Sequence, residues 1–393
     1  MLALIGVLIG ALLALMVAEL VLRRFRPLTD PYASEKMAGR SAHLYVPRVY
    51  PPNYSLEIRV VGIPKLPERG RLTANSLGMR TPEFSRTKAP GCLRIVLVGG
   101  SALECWHLGD DLTIRALLER ELRERTGRAV EVIFAGAWAA RSYDYLASLA
   151  HRVFHLEPDL VVLAGALGDA FEELVGRDYL MPELPARGPT RSTRRLLLYV
   201  ATELQLGRAV HRLLKPPRQV ADIVTFTADE LLYWYRKPPR HGAYVPDPNR
   251  LTARAYRENL RSAVGMARGH GVRLILATQP TLFGCERPEL GPDPWFAIGD
   301  LTFPRSEVAQ AIERYNDAVR DVAAELDAPL CDLSASFDGD VSCFYDDFHY
   351  GSVGAARTAE ALADFIIAEA LGTLSFAPLD MSSPKARHAR PDY

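Results

Sequence analysis

Ile95-Val-Leu-Val98, followed at once by Gly99-Gly100-Ser101, is the stretch that most strongly indicates the fold of this 393-residue chain. Four consecutive branched apolar residues are typical of a strand that is buried on both faces of a parallel sheet. The two glycines indicate a turn, and the serine follows them at the carboxyl end of the strand. Because functional side chains gather at the carboxyl ends of such strands, Ser101 is a candidate functional residue.

Strand and helix patterns alternate along the rest of the chain. The predicted strands are 95–98, 130–134, 160–164, 272–277 and 330–333, and the predicted helices are 112–125, 143–154, 252–268, 306–326 and 353–370. This alternation predicts an α/β fold, a three-layer α/β/α sandwich with a five-stranded parallel sheet. We expect the sandwich domain to span residues 91–372, with an insertion at about 180–250.

The two ends of the chain differ from this pattern. Residues 23–90 are rich in Pro, Gly and polar residues and predict a linker with an irregular lead-in, and residues 373–393 predict a disordered tail. The first 18 residues carry no charge and the apolar run reaches Leu22. At ~1.5 Å per residue, this run gives roughly the 30 Å needed for a transmembrane anchor at residues 1–22.

A cleaved signal peptide fits the N-terminus less well, because a basic region is missing before the apolar run and charged residues replace a small-residue cleavage site. Arg23, Arg24 and Arg26 follow the span, and the positive-inside tendency would place the main domain in the cytoplasm. We therefore expect a single-pass membrane protein, and the charge pattern taken alone points to a cytoplasmic main domain.

Charge and cysteine content exclude several classes of function. Lys plus Arg and Asp plus Glu both total 47, so the chain has no positive excess to attract nucleic acid. The five cysteines are scattered without C-x-x-C spacing, and neither a metal site nor a cofactor is expected.

A second motif, Asp346-Asp-Phe-His349, precedes the last predicted helix. A serine hydroxyl needs an adjacent imidazole to take its proton, and the imidazole needs a partner that fixes its tautomer. His349 and Asp346 can supply both groups for Ser101. Each motif is short enough to occur by chance, but their order along the chain fits the predicted fold.

Together these blocks resemble the SGNH (GDSL-like) hydrolase family over residues 74–371, and the lead-in Asn75-Ser-Leu-Gly-Met-Arg80 is similar to a segment of its membrane-anchored bacterial members. The resemblance implies a flavodoxin-like α/β/α fold and ester chemistry. It implies that Ser101 is the nucleophile, that His349 is the general base and then acid, and that Asp346 orients His349. It also favours an extracytoplasmic domain, against the charge pattern.

The resemblance further implies an oxyanion hole, in which the backbone amides of Ser101 and Gly136 act with an asparagine side chain. Here the asparagine position is occupied by Gly168, in Ala166-Leu167-Gly168-Asp169. Loss of one such donor typically costs ~10²–10³ in turnover. Either Gln279 supplies a replacement amide, or the two backbone amides act alone, or the protein is a weak or lapsed enzyme.

Three functions remain open at this stage. The first is a membrane-anchored serine esterase that cleaves O-acyl esters, including O-acetyl esters, of carbohydrate or cell-envelope material, so its substrate is a small acyl ester or an acylated glycan. The second is an acyltransferase that uses the same site. The third is a non-catalytic envelope protein that binds a glycan or a partner in a degenerate site.

Overall fold

The structure is a computed structural model that describes residues 2–25, 43–176, 201–214, 223–228, 235–236, 251–291, 294–298 and 301–371. The predicted tail at 373–393 and most of the predicted insertion lie outside the described residues.

The strands of the described residues are β1 (Ser55–Val61), β2 (Arg69–Thr73), β3 (Leu93–Gly99), β4 (Val130–Phe134), β5 (Leu160–Ala164), β6 (Ile223–Thr227), β7 (Tyr235–Arg236), β8 (Arg273–Ala277), β9 (Trp295–Ile298), β10 (Leu301–Pro304) and β11 (Leu330–Cys331). The α-helices are α1 (Leu2–Phe25), α2 (Ser101–Glu104), α3 (Ile114–Thr126), α4 (Ser142–Ser148), α5 (Leu167–Leu174), α6 (Gln205–Leu214), α7 (Arg254–Gly269), α8 (Arg305–Glu325), α9 (Leu333–Phe337) and α10 (Ser352–Phe365).

The central sheet has five parallel strands in the order β11-β8-β5-β3-β4. Every residue of β3 and β5 is buried, as expected for strands that are covered on both faces. The prediction of a five-stranded parallel sheet is confirmed. The chain leaves β3 for β4 on one side of it and later returns to β5 on the other, so the carboxyl end of β3 lies at the point where a ligand crevice is expected.

The helices that cover the sheet follow from amphipathic patterns with defined ends. In α3, the Thr113 side chain accepts a hydrogen bond from the Ala116 amide, and Gly127 ends the helix in the left-handed conformation. α3 contacts α10, whereas α7 contacts α4 and α8. The helices thus form two groups, as an α/β/α sandwich requires.

The lead-in differs from the prediction, because residues 23–90 contain regular structure. β1 pairs with β2 in an antiparallel hairpin, and β6 from the insertion extends this sheet by pairing in parallel with β1. In β1, the buried residues Leu56, Ile58 and Val60 alternate with exposed ones. This two-residue period is the signature of a half-buried strand, and the Pro- and Gly-rich flanks concealed it.

The N-terminal helix α1 (Leu2–Phe25) covers residues 2–22 of the anchor predicted at 1–22. Nevertheless, no helix in the described part of the chain has both the length and the apolar character that crossing a bilayer requires, so the transmembrane part of the fold prediction is not supported. Glu19 of α1 accepts hydrogen bonds from the amides of Gln205 and Leu206, at 2.9 and 2.8 Å, at the start of α6.

Candidate active site

Ser101 lies at the first position of the short helix α2, directly after the turn that ends β3. The segment that follows it is fixed by Arg80, a buried residue of the lead-in. The Arg80 guanidinium donates to the carbonyl oxygens of Glu104 and Cys105, at 2.8 and 3.0 Å, and to that of Leu108 at 2.6 Å. The lead-in therefore holds the serine turn in place.

The structure brings Ser101, His349 and Asp346 together, although 248 positions separate the serine from the histidine. Ser101 Oγ lies 2.9 Å from His349 Nε2, and His349 Nδ1 lies 2.6 Å from Asp346 Oδ2. If Asp346 accepts the Nδ1 proton, Nε2 is left as the acceptor for the serine hydroxyl. The arrangement can transfer a proton from Ser101 to His349.

Asp346 is nearly buried, and its second oxygen, Oδ1, accepts hydrogen bonds from the amides of Phe348 and His349, at 2.8 and 2.6 Å. Burial by itself would raise the pKa of Asp346. The interaction with His349 and these hydrogen bonds outweigh burial and hold the pKa below its usual value. The carboxyl group is therefore ionised and can orient the imidazole throughout the neutral range.

The loop that carries Asp346 and His349 is held from behind by Asp347, a fully buried residue. Arg305 donates to both Asp347 oxygens, Nε to Oδ2 at 2.9 Å and Nη2 to Oδ1 at 2.8 Å, and Arg287 Nη1 donates to Oδ1 at 2.9 Å. Both arginines are also nearly buried. This ionic cluster fixes the direction in which the neighbouring Asp346 and His349 point.

Gly136, the predicted second oxyanion donor, follows β4 and lies against Gly99. A Cβ atom at Gly136 would stand 2.1 Å from the Gly99 oxygen, so this position admits only glycine. The Ala137 amide donates to the same oxygen at 3.2 Å. Gly136 thus lies beside the strand end that precedes Ser101.

Gly168 and Gln279 both line the cleft in front of Ser101. A Cβ atom at Gly168 would stand 2.8 Å from the Ala140 carbonyl oxygen, so the loop after β4 occupies the space that a side chain would need. The Gln279 side-chain amide donates to the Pro280 oxygen at 3.2 Å, and its backbone amide donates to Asn316 Oδ1 at 2.8 Å.

Asp169, next to Gly168, is fully buried and connects the starts of α4 and α5. Both of its carboxylate oxygens accept from the Ser142 amide, at 3.2 and 3.0 Å. Burial raises the pKa of Asp169 to about 7, against the lowering effect of the Ser142 hydrogen bonds. Asp169 thereby positions the loop that approaches Gly168.

Two polar pairs near the site were not found by sequence reasoning. His107 Nδ1 forms a short hydrogen bond with the Tyr345 hydroxyl, and burial lowers the pKa of His107 to about 3, so this imidazole is neutral. Tyr345 in turn stacks on His349, with ring centroids 5.6 Å apart. A lone histidine has no motif from which this position could have been inferred.

The second pair joins Glu104 to Tyr50, whose hydroxyl donates to Glu104 Oε1. Glu104 is buried at the end of α2, and burial raises its pKa from 4.5 to about 7, although Arg80 acts in the opposite direction. A buried carboxyl group therefore lies three residues after Ser101 and titrates near neutral pH.

The cleft in front of Ser101 has a volume of about 870 Å³. Its lining combines Ser101, Asp346 and His349 with apolar and aromatic side chains from the lead-in, the loop after β4, α5 and β6. Among the residues that the structure describes, no group of three or more His, Cys, Asp or Glu side chains is placed to hold a metal ion.

The model of the GDSL-like lipase/acylhydrolase family matches residues 97–357. No curated protein sequence matches the chain. Similar solved structures include the acetyl xylan esterase AlAXEase, at 12% identity, with 69% of this chain and 98% of that chain covered and a TM-score of 0.39. They also include Axe2, an acetylxylan esterase from Geobacillus stearothermophilus (15% identity, 70% and 94% covered, TM-score 0.40), and the lipase/acylhydrolase from Enterococcus faecalis (18%, 70% and 95%, 0.38).

Proposed function

We propose that this chain, which belongs to the GDSL-like lipase/acylhydrolase family and is an ester-cleaving hydrolase, uses Ser101, His349 and Asp346 as its catalytic triad. The observation that carries the proposal is the distance of 2.9 Å between Ser101 Oγ and His349 Nε2, together with the 2.6 Å contact from His349 Nδ1 to Asp346. Both distances lie within hydrogen-bond reach, as a nucleophile, its base and an orienting carboxylate require.

In the proposed mechanism, His349 Nε2 takes the proton of Ser101 as Oγ attacks the acyl carbonyl carbon. The resulting imidazolium is stabilised by Asp346, whose lowered pKa keeps it ionised. His349 then donates the proton to the departing alcohol. A water molecule, deprotonated by the same imidazole, releases the acyl group and regenerates the free serine.

The negative oxygen of the tetrahedral intermediate needs donors that are already in place. We assign this role to the amides of Ser101 and Gly136. Gly168 has no side chain to contribute, and the Ala140 carbonyl occupies the space beside it. Gln279 lines the same cleft, but its side-chain amide is turned toward the Pro280 oxygen, to which it donates one of its two hydrogens. Turnover about 10²–10³ lower than with an additional donor is therefore expected.

As natural substrates we propose O-acyl esters of carbohydrate or other cell-envelope material. Acyl transfer to a second hydroxyl is the alternative outcome at the same acyl-enzyme, because an alcohol can replace water in the second step. Product analysis with and without an added sugar acceptor distinguishes the two: free acid alone indicates hydrolysis, and an acylated sugar indicates transfer.

Labelling with a fluorophosphonate probe tests the proposed nucleophile. The chain should be labelled, and Ser101→Ala should abolish labelling together with hydrolysis of aryl esters. Ser85→Ala, at an exposed serine outside the cleft, is the matched control and should be labelled like the parent. Labelling that persists in folded Ser101→Ala, or none in the folded parent, contradicts the proposal and favours a binding protein with a degenerate site.

We also propose that α1 attaches the protein to a membrane. Apolar side chains of this helix are exposed, among them Leu12, Leu13, Val17 and Leu20. Contact with lipid would remove this apolar surface from water. After cell lysis the full chain should sediment with membranes and a chain without residues 1–25 should not, and recovery of both in the supernatant contradicts attachment. Protease accessibility in intact cells tests whether the main domain is extracytoplasmic.

A further inference from the structure

We infer that the acyl group removed at this site is large and apolar rather than acetyl. This inference rests on the proposed function, because it concerns the cleft in front of Ser101. It goes further by naming the class of acyl group that the cleft accepts.

The size of the cleft is the first observation. Its volume of about 870 Å³ lies in the upper part of the range of ~300–1,000 Å³ that is typical of small-molecule sites. An acetyl group has only two carbon atoms and would itself fill only a small part of this space. A long acyl chain would displace that water from the apolar walls, which is favourable.

The chemistry of the walls is the second observation. Apolar side chains come from separate parts of the fold, among them Trp138 from the loop after β4, Phe171 of α5 with Val175 just after it, and Val224 and Phe226 of β6. The parts converge on one space. Such a lining offers contact to the methylene groups of an acyl chain and few hydrogen-bond partners for a polar acyl group.

The charged side chains at the cleft do not create a site for a charged acyl group. Arg141 forms an ion pair with Glu172, and Arg48 Nε lies 3.4 Å from Asp144 Oδ2. Arg48 also lies over the Trp138 ring, with its guanidinium carbon 6.0 Å from the ring centroid. These charges are neutralised within the protein, which favours a neutral, apolar substrate group.

The β6 wall is connected to the catalytic residues. The Phe226 ring stacks on His107, with centroids 3.8 Å apart, and His107 is hydrogen-bonded to Tyr345, which stacks on His349. A wall held in this way keeps a fixed distance from the reacting atoms. An acyl chain that packs on Phe226 would therefore be aligned with Ser101 rather than bound at a distance from it.

A series of p-nitrophenyl esters, from acetyl through hexanoyl to decanoyl, tests the inference on the full-length protein below the micellar concentration of each ester. Each buried methylene should raise kcat/KM about fourfold, so burial of even half of the added chain makes decanoyl preferred over acetyl by on the order of 100-fold. Fluorophosphonate labelling of Ser101 is measured on the same preparation.

Two variants of the cleft test whether the acyl group binds against Phe226 and Trp138. Phe226→Ala and Trp138→Ala should each lower the ratio of decanoyl to acetyl kcat/KM about tenfold or more, since each removes a wall of the cleft. Trp138 is 41% exposed, so its replacement should be compatible with folding even if Phe226→Ala is not. Phe25→Ala, at a 73% exposed phenylalanine of α1, is the matched control and should leave the ratio unchanged.

The outcomes separate the two levels of the proposal. If Ser101 is labelled and acetyl esters or acetylated xylan are preferred, the large acyl group is refuted and the proposed esterase stands. The same holds if both cleft variants keep the parent ratio. If no ester in the series is turned over in a Ser101-dependent manner, the proposed function fails and this inference fails with it.

Discussion

Replacement of Asp347 by asparagine tests whether the ion pairs of Asp347 hold the loop that carries Asp346 and His349. The Asp347 carboxylate is 0% exposed, and the paired Arg305 and Arg287 side chains are 8% and 7% exposed. The substitution keeps the shape of the side chain, but it removes the negative charge that faces two buried guanidinium groups. Breaking a buried ion pair by removing one partner typically costs about 3–5 kcal/mol, because the remaining charge is left uncompensated.

The free energy of unfolding of Asp347→Asn should therefore be lower by about 3–5 kcal/mol, a large part of the ~5–15 kcal/mol that stabilises a typical protein. Urea denaturation measures this change as a lower midpoint with an unchanged slope. In the folded variant, fluorophosphonate labelling of Ser101 should be slower, because Asp347 orients the loop that carries His349.

A matched control is Asp321→Asn, which breaks the ion pair with Arg257 at a site where the aspartate is 61% exposed. Its stability should change by less than about 1 kcal/mol, as for other surface pairs. If Asp347→Asn is as mild as this control, or if it labels at the parent rate, the ionic cluster does not hold the loop and the reasoning is refuted.

Three further predictions follow from the site. Asp346→Asn should lower kcat by about 10³–10⁴ in steady-state ester hydrolysis, since His349 would lose the partner that fixes its tautomer, and a loss below tenfold would refute the assigned role. Burial raises the pKa of Glu104 from 4.5 to about 7. Between these two pH values the folded protein keeps the Glu104 carboxyl proton and the unfolded chain loses it. The free energy of unfolding should therefore fall by about 3 kcal/mol as pH rises from 4.5 to about 7. Urea titrations should show that Glu104→Gln removes this part of the pH dependence, and an unchanged profile would contradict it. Gly168→Asn should lower both the melting temperature and kcat, because its Cβ would stand 2.8 Å from the Ala140 oxygen, and a faster folded variant would show that the loop yields.

The central sheet could be predicted because its signals are local. β4 (Val130–Phe134) and β5 (Leu160–Ala164) have the predicted bounds, since each is a short apolar run between glycine-, proline- or charge-rich flanks. β6 and β7 are short and pair with strands far away in the chain, so neither can be assigned a sheet from its own sequence. The sequence pattern was therefore insufficient to predict the sheets that form by pairing of strands far apart in the chain.

The candidate site shows the same division. The proximity of Ser101 to His349 could be expected, because the serine follows a buried parallel strand and the Asp346-x-x-His349 motif precedes the last helix, as in the family that the sequence resembles. The contacts of Asp347 with Arg305 and of His107 with Tyr345 depend on how loops pack, and no spacing along the chain encodes them. These contacts could not be predicted from the sequence, because loop packing determines them.

The parallel pairing of β1 with β6 has a consequence for synthesis on the ribosome. Glu57 pairs with Ile223, so the two strands emerge more than 160 residues apart. At a synthesis rate of ~5–20 residues per second, β6 is translated about 10–30 s after β1. During this interval β1 is paired with β2 on one edge only, and the opposite edge, which later meets β6, is unpaired. An unpaired strand edge is a template for contacts between nascent chains. The strand that closes this edge, β6, is thus also a wall of the cleft.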